Sequence, residues 1–154
     1  MTGVVVGVDD STQAEQALRW AAQQAELTNQ PLTVTTVVDP NVAVVLWSDD
    51  PADAGRTAHL DAARKAVEEL LSELEHDRQR PLSVPVTIRA RVGHPVEELV
   101  EAATDADLLV VGSRGAGPLG RVVLGSVSTG VTHHAPCTVV VVRGRVRCGN
   151  GDGG

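Results

Sequence analysis

The stretch Val4-Val5-Val6-Gly7-Val8 is a continuous apolar, mostly β-branched run that ends at the polar residues Asp9-Asp10-Ser11. Such a run is typical of a strand buried on both faces, as the strands of parallel sheets are. The residues that follow repeat alanine and leucine at the spacing of one buried helical face, from Ala14 to Ala25. The chain therefore opens with a strand and a helix, the first half of a βαβ unit.

The same alternation continues to residue 143. Further strands are predicted at 32–38, 84–92, 108–111 and 138–142, and further helices within 60–80, 95–103 and 126–134. The order βαβαβαβαβ predicts an α/β fold, a single-domain Rossmann-like five-stranded parallel sheet with helices on both faces. Arg89 and Arg91 fall on one face of the third strand and favour an edge position for it.

The remaining segments complete the domain organisation. Residues 1–143 form one predicted domain. Residues 144–154 form a Gly-rich tail that we expect to be disordered. Residues 41–56 are predicted to be a long irregular connection, and the sequence does not indicate its role.

Composition excludes several classes of partner. The formal net charge is −7, and the chain has two tryptophans but no phenylalanine or tyrosine. Nucleic acid is therefore not expected as a ligand, because the chain lacks an excess of basic residues and aromatic stacking residues. No apolar run approaches the roughly 18 residues that span a bilayer, and no basic segment precedes the first apolar run. We expect a cytoplasmic protein without membrane contact.

The loop after the fourth strand reads GSRGAGPLGRVVLGS over residues 112–126. Its glycines allow positive φ and close approach of an anion to the backbone amides, and the next helix adds the positive end of its dipole. A P-loop is excluded because Lys65 is the only lysine. The match of residues 115–120 to G-x-G-x-x-G is interpreted as accidental, since Pro118 interrupts it and the acidic ribose partner is missing.

The spacing of Gly112, Gly115, Gly125 and Ser126 resembles the G-x2-G-x9-G-[S/T] loop of the ATP-binding subgroup of universal stress proteins. The resemblance also covers the opening strand with its Asp-Asp-Ser, the Gly-His-Pro turn at 93–95 and His-Ala-Pro-Cys at 134–137. These motifs span residues 3–143 in the family's order.

The resemblance implies a cytoplasmic stress-response regulator that binds ATP, with or without Mg²⁺. It also implies a homodimer formed through the last strand, Thr138–Val142, and leaves protein partners unidentified. In the implied site, glycines and the first helical turn hold ribose and phosphates, and two other residues meet the adenine end. The implied and flanking residues are Asp9, Val37, Val111, Gly112, Arg114, Gly115, Gly125, Ser126, Val127 and Ser128.

Several alternatives stay open. Asp9 either contacts the nucleotide, holds an ion or caps the first helix, and Arg114 either offsets phosphate charge or is solvated. No catalytic residue is assigned, because the chain shows no nucleophile elbow or carboxylate pair, so at most slow ATP hydrolysis is expected. No metal site is assigned, since the adjacent His133 and His134 point about 100° apart on a helix. A weak ATPase or self-phosphorylating enzyme, and a nucleotide-independent dimeric interaction module, are the competing functions.

Overall fold

The computed structural model describes residues 3–9, 12–40, 52–113 and 125–143. The strands are β1 (Val4–Val8), β2 (Leu32–Val38), β3 (Val86–Val92), β4 (Leu108–Gly112) and β5 (Thr138–Val142). The helices are α1 (Thr12–Thr28), α2 (Ala52–Arg78), α3 (Pro95–Ala102) and α4 (Ser126–His134). No helix within the described ranges is both long and apolar enough to cross a membrane.

The five strands form one parallel sheet in the order β3-β2-β1-β4-β5. Val4 of β1 lies opposite Leu32 of β2 and Leu108 of β4, so the strands are in close register along the sheet. The chain runs outward from β1 to β3 and then returns to the other side of β1. This reversal places a crevice between the carboxyl ends of β1 and β4. The predicted α/β fold with a parallel sheet is confirmed.

One face of the sheet packs against α1 and α2. The buried stripe of α1 consists largely of alanines, among which Ala17, Ala21 and Ala25 are fully buried. These small side chains lie in one core with Val4 and Val6 of β1. Because alanine projects little from the helix, α1 can approach the sheet closely.

The other face packs against α3 and α4. Leu99 of α3 and Val131 of α4 are buried there in one core with Val5 and Val111 of the sheet. The two helices also touch each other. A Cβ atom added to Gly130 of α4 would lie 2.7 Å from Cγ2 of Val96, so glycine sets how closely these helices pack.

Helix α2 begins earlier than the sequence pattern indicates. It starts at Ala52, so the predicted irregular connection is wrong over residues 52–56, and residues 41–51 lie outside the described ranges. The first two turns contain Gly55 and no large apolar residue before Leu60. Hydrophobic periodicity therefore could not reveal them. The predicted tail at 144–154 also lies outside the described residues.

The edge position predicted for β3 is confirmed, since β3 ends the strand order at one side. Arg91 of this strand pairs with two carboxylates of α3, Glu98 at 3.3 Å and Glu101 at 3.5 Å. These pairs connect the edge strand to the helix that covers the sheet. Strand β5 ends the order at the other side, with four half-buried valines.

Candidate functional site

A cavity of about 160 Å³ lies where β1, β2 and β4 end, on the face covered by α3 and α4. Its walls come from the carboxyl ends of these three strands, from Ala14 at the start of α1, and from the first two turns of α3 and the first turn of α4. This is the crevice created by the reversal of strand order.

Eight of the ten predicted site residues line this one cavity. They are Asp9, Val37, Val111, Gly112, Gly125, Ser126, Val127 and Ser128. The structure thus brings together residues from four separate segments of the chain, up to 119 positions apart between Asp9 and Ser128. The other two, Arg114 and Gly115, lie outside the described residues.

The amino terminus of α4 presents free backbone amides at the cavity. Gly125 precedes the helix in an extended conformation, and its carbonyl accepts the first helical hydrogen bond, from the Thr129 amide at 3.0 Å. The amides of the three residues between them, 126–128, have no carbonyl one turn earlier in the helix. Together with the helix dipole, these amides form a site that favours negative charge.

The two described ends of the loop are joined at Ser113. The carbonyl oxygen of Ser113 accepts hydrogen bonds from the Gly125 amide at 2.7 Å and from the Ser128 hydroxyl at 3.2 Å. The Ser113 amide donates to the carbonyl of Val142 at 2.9 Å, and its hydroxyl donates to the Gln13 side chain at 3.0 Å. Strand β4, strand β5, helix α1 and helix α4 are therefore connected through one residue.

These contacts separate the roles of the two serines. Ser128 is 2% exposed, and its hydroxyl proton is shared between the carbonyls of Ser113 and Gly125, the latter at 3.0 Å. A hydroxyl has a single proton to donate. Ser126 is exposed at the cavity. The Ser126 hydroxyl is therefore the more available of the two to donate to a phosphate group.

The loop glycines do not use positive φ at the described positions. No glycine among the described residues has a positive φ, and Gly125 has φ −60° and ψ 164°. A Cβ atom on Gly112 would lie 3.4 Å from the Gln13 backbone, which is van der Waals contact. Of the two properties that glycine offers, positive φ is therefore not used at Gly112 and Gly125. Their missing side chains instead leave the backbone at the cavity uncovered.

Sequence reasoning missed several residues at the inner end of the cavity. Gly7 lies under α3, where an added Cβ would be 2.9 Å from Cδ2 of Leu99. A glycine within a strand indicates close approach of another group, and this signal was present. Thr35 and Pro95 also line the cavity. Thr35 stands within a run that reads as ordinary buried strand, so nothing in the sequence distinguished it.

Within the described ranges, no group of three or more His, Cys, Asp or Glu side chains is arranged to hold a metal ion. Asp9 is exposed at the end of β1, and it is the one carboxylate that lines the cavity within the described part of the chain. His133 and His134 lie exposed in the last turn of α4, with ring centroids 6.5 Å apart.

A larger cavity, of about 520 Å³, lies on the opposite face between β1, β2, α1 and α2. Its walls include the carboxylates Glu15, Glu69 and Glu73, and it shares Asp9 with the first cavity. No basic residue lines it among the described residues. Negative charge disfavours an anionic ligand there, so the smaller cavity is the better candidate site for a phosphate-bearing molecule.

Comparison with known proteins finds relatives in one family. A model of the universal stress protein family matches residues 1–143. A universal stress protein of Mycobacterium tuberculosis is 38% identical over 143 residues, covering 91% of this chain and 47% of the relative. The chain thus spans about half the length of this relative.

Solved structures show the same architecture. The universal stress protein UspA from Lactobacillus plantarum is 26% identical with a TM-score of 0.71, covering 92% of this chain and 97% of that one. A universal stress protein in complex with cAMP is 28% identical with a TM-score of 0.62, covering 92% and 96%. The family match over residues 1–143 and these shared folds show that the chain belongs to the universal stress protein family.

Proposed function

We propose that the chain binds an adenine nucleotide in the cavity at the β1–β4 crevice, that ATP is its ligand, and that occupancy regulates its contacts with other proteins. One observation carries the proposal: strand ends from β1, β2 and β4 converge with the free amides of α4 on one cavity. Helix amino termini at such crevices suit phosphate groups. The solved relative at 28% identity that holds cAMP supports an adenine nucleotide as the class of ligand.

The size of the cavity suggests which part of the nucleotide it encloses. Its volume of about 160 Å³ over the described residues is below the ~300–1,000 Å³ of sites that enclose whole ligands. It therefore suits the base, with ribose and phosphates extending along the start of α4. The base would lie near Val37 and Asp9, and the phosphates near the amides and hydroxyl of Ser126. Arg114 and Gly115 are proposed to contact the phosphates as well.

The lining residues favour binding over catalysis. Among the described residues that line the cavity, Asp9 is the one titratable side chain, and none is a lysine or histidine. Phosphoryl transfer depends on positioning and on positive charge placed at the phosphates. We therefore expect slow ATP hydrolysis at most. When Mg²⁺ accompanies ATP, Asp9 is the carboxylate placed to coordinate it.

The protein purified without added nucleotide tests the proposal most directly. After denaturation, the released small molecules are identified by chromatography and mass. ATP at near one equivalent per chain is the expected result. Recovery of ADP alone would indicate turnover and favour the weak ATPase. A protein that is empty and also fails to bind added ATP would refute the proposal and favour the nucleotide-independent interaction module.

Adding a negative charge at the start of α4 tests whether the phosphates bind there. Ser126→Asp adds a carboxylate where the phosphates are proposed to lie, and an acidic residue in the first turn is itself compatible with the helix. Repulsion between the added carboxylate and a neighbouring phosphate is worth about 1–3 kcal/mol, so ATP affinity should fall about 10- to 100-fold. The matched control is Thr129→Asp, one turn later on the same helix and not lining the cavity. Equal loss in both variants would exclude this helix start as the phosphate site.

Dimerisation through β5 is part of the proposed function. The strand is at the sheet edge, and edges that pair with a second copy no longer present unpaired backbone groups. The Ser113 amide bonded to Val142 connects the loop base directly to this strand. Sedimentation with and without ATP should show a dimer whose stability changes with nucleotide. A monomer under both conditions would exclude this mode of regulation.

A further inference from the structure

One hydroxyl in the core makes no hydrogen bond to any of the described residues. Thr35 of β2 is fully buried, and its Oγ1 atom makes no hydrogen bond within the part of the chain that the structure describes. Buried polar groups are nearly always paired, so an orphan in a binding protein calls for an explanation. Thr35 is also one of the residues that line the candidate cavity.

The position of Thr35 is at the inner end of that cavity. In the sheet it lies between Gly7 of β1 and Arg89 of β3. Its side chain is on the same face as that of Val37, two residues later. Gly7 contributes no side chain, and Leu99 of α3 fills the space above it. Thr35 thus lies beneath α3, away from the amides of α4.

A hydroxyl group is unexpected at this position in the cavity wall. The neighbouring lining is apolar, with Val37, Leu99 and Val111. Valine has nearly the same shape as threonine and would fill the position without a desolvated hydroxyl. The hydroxyl therefore destabilises the unliganded protein, and a ligand that supplies the missing hydrogen bond would offset this cost.

We propose that the Thr35 hydroxyl hydrogen-bonds to the edge of the nucleobase at the inner end of the cavity. A purine base suits this environment because its faces are apolar and its edge carries hydrogen-bonding nitrogens. A hydroxyl can both donate and accept, so it can pair with a ring nitrogen or with the exocyclic amine. This inference rests on the proposed nucleotide function.

The first test compares three variants by calorimetric titration with ATP. Thr35→Val should lower ATP affinity about 3- to 10-fold while leaving the thermal midpoint of the free protein unchanged or higher. Thr35→Ser keeps the hydroxyl and should bind nearly as the parent does. Thr33→Val, on the same strand and face but outside the cavity, should leave affinity unchanged. A merely structural role would not weaken binding while sparing or raising stability.

The second test identifies the atom that is contacted. The parent and Thr35→Val are titrated with 1-deaza-ATP, 3-deaza-ATP, 7-deaza-ATP and the 6-deamino analogue. The analogue that lacks the contacted atom should bind both proteins equally, whereas the other three should still distinguish them. A uniform loss with all four analogues would mean that the substitution acts through packing, and would overturn the inference.

The remaining outcomes separate this inference from the proposed function. If the parent binds ATP and Thr35→Val binds it equally well, the role of Thr35 is refuted and the nucleotide site stands. If the parent binds no adenine nucleotide, both the site and the role of Thr35 are refuted. If Thr35→Ser loses as much affinity as Thr35→Val, the methyl group and not the hydroxyl is responsible, which also refutes the proposal.

Discussion

Replacing Glu26 by glutamine should destabilise the protein in a strongly pH-dependent way. The Glu26 side chain, near the end of α1, is 10% exposed and accepts hydrogen bonds from the Ser83 amide at 3.0 Å and from Arg80 at 3.1 Å. Arg78, near the end of α2, also donates to it. Burial alone would raise the pKa of Glu26, but these donors lower it from 4.5 to about 2.

The size and direction of the effect follow from linkage. Because the folded-state pKa is depressed, the unfolded chain binds the proton at higher pH. The stabilisation is therefore complete above pH 4.5 and is lost as the pH falls toward 2. The shift corresponds to about 3 kcal/mol at pH 7, decreasing to about 1.4 kcal/mol at pH 3. Arg80 is 55% exposed. Solvent screens its charge, so these free energies are upper limits.

Urea denaturation of the parent and Glu26→Gln between pH 7 and pH 3 measures this effect. The difference in free energy of unfolding should fall by more than half over that range. The matched control is Glu101→Gln, whose carboxylate is 68% exposed beside Arg91 and should change stability by only a few tenths of a kcal/mol. A Glu26→Gln difference that stays constant with pH would refute the reasoning, because it would locate the effect in packing.

Three further predictions concern the contact between α3 and α4, the end of α2 and the base of the loop. Gly130→Ala should lower the free energy of unfolding by about 1–3 kcal/mol, since its Cβ would lie 2.7 Å from Val96, and adding Val96→Ala should recover part of this loss. Gln79→Gly, at the end of α2 with φ 56°, should raise stability by about 1 kcal/mol in urea denaturation because glycine adopts this conformation freely. Ser128→Ala should cost about 1 kcal/mol by removing the hydrogen bond to Ser113, and should weaken ATP binding although its own hydroxyl is not needed at the phosphates.

Specific results would contradict these three predictions. An unchanged free energy of unfolding in Gly130→Ala would mean that α3 and α4 separate without cost. A destabilised Gln79→Gly would mean that the glutamine side chain contributes more than the backbone strain. If Ser128→Ala binds ATP like the parent, the hydrogen bonds at the loop base do not position the start of α4.

Much of the fold was readable from sequence because strands and helices bury their residues with different periods. The run Val4–Val8 and the alanine stripe of α1 identified a strand and a helix without any tertiary information. The start of α2 was not readable, because residues 52–59 offer no large apolar side chain to show a buried face. Such a segment is recognised as helical only from its backbone hydrogen bonds.

The residues of the candidate site were predicted from motif spacing and from the family resemblance. The spacing of Gly112, Gly125 and Ser126 marked the loop and the helix start that follow β4. Asp9 and Val37 were selected through the family resemblance, and they lie close together because strand ends meet at one edge of a parallel sheet. Ser113 was not selected, although its carbonyl holds Gly125 and Ser128, since hydrogen bonds of a backbone carbonyl leave no pattern in the sequence.

The sequence by itself determined the class of fold, the family resemblance and the segments that supply the candidate site, because periodicity and motif spacing are local properties of the chain. Tertiary structure alone decided the strand order, the burial of Ser128 against exposed Ser126, and the orphan hydroxyl of Thr35. These features depend on which distant residues become neighbours. Whether a hydroxyl is paired, shared or left without a partner is fixed only when the surrounding strands and helices have packed.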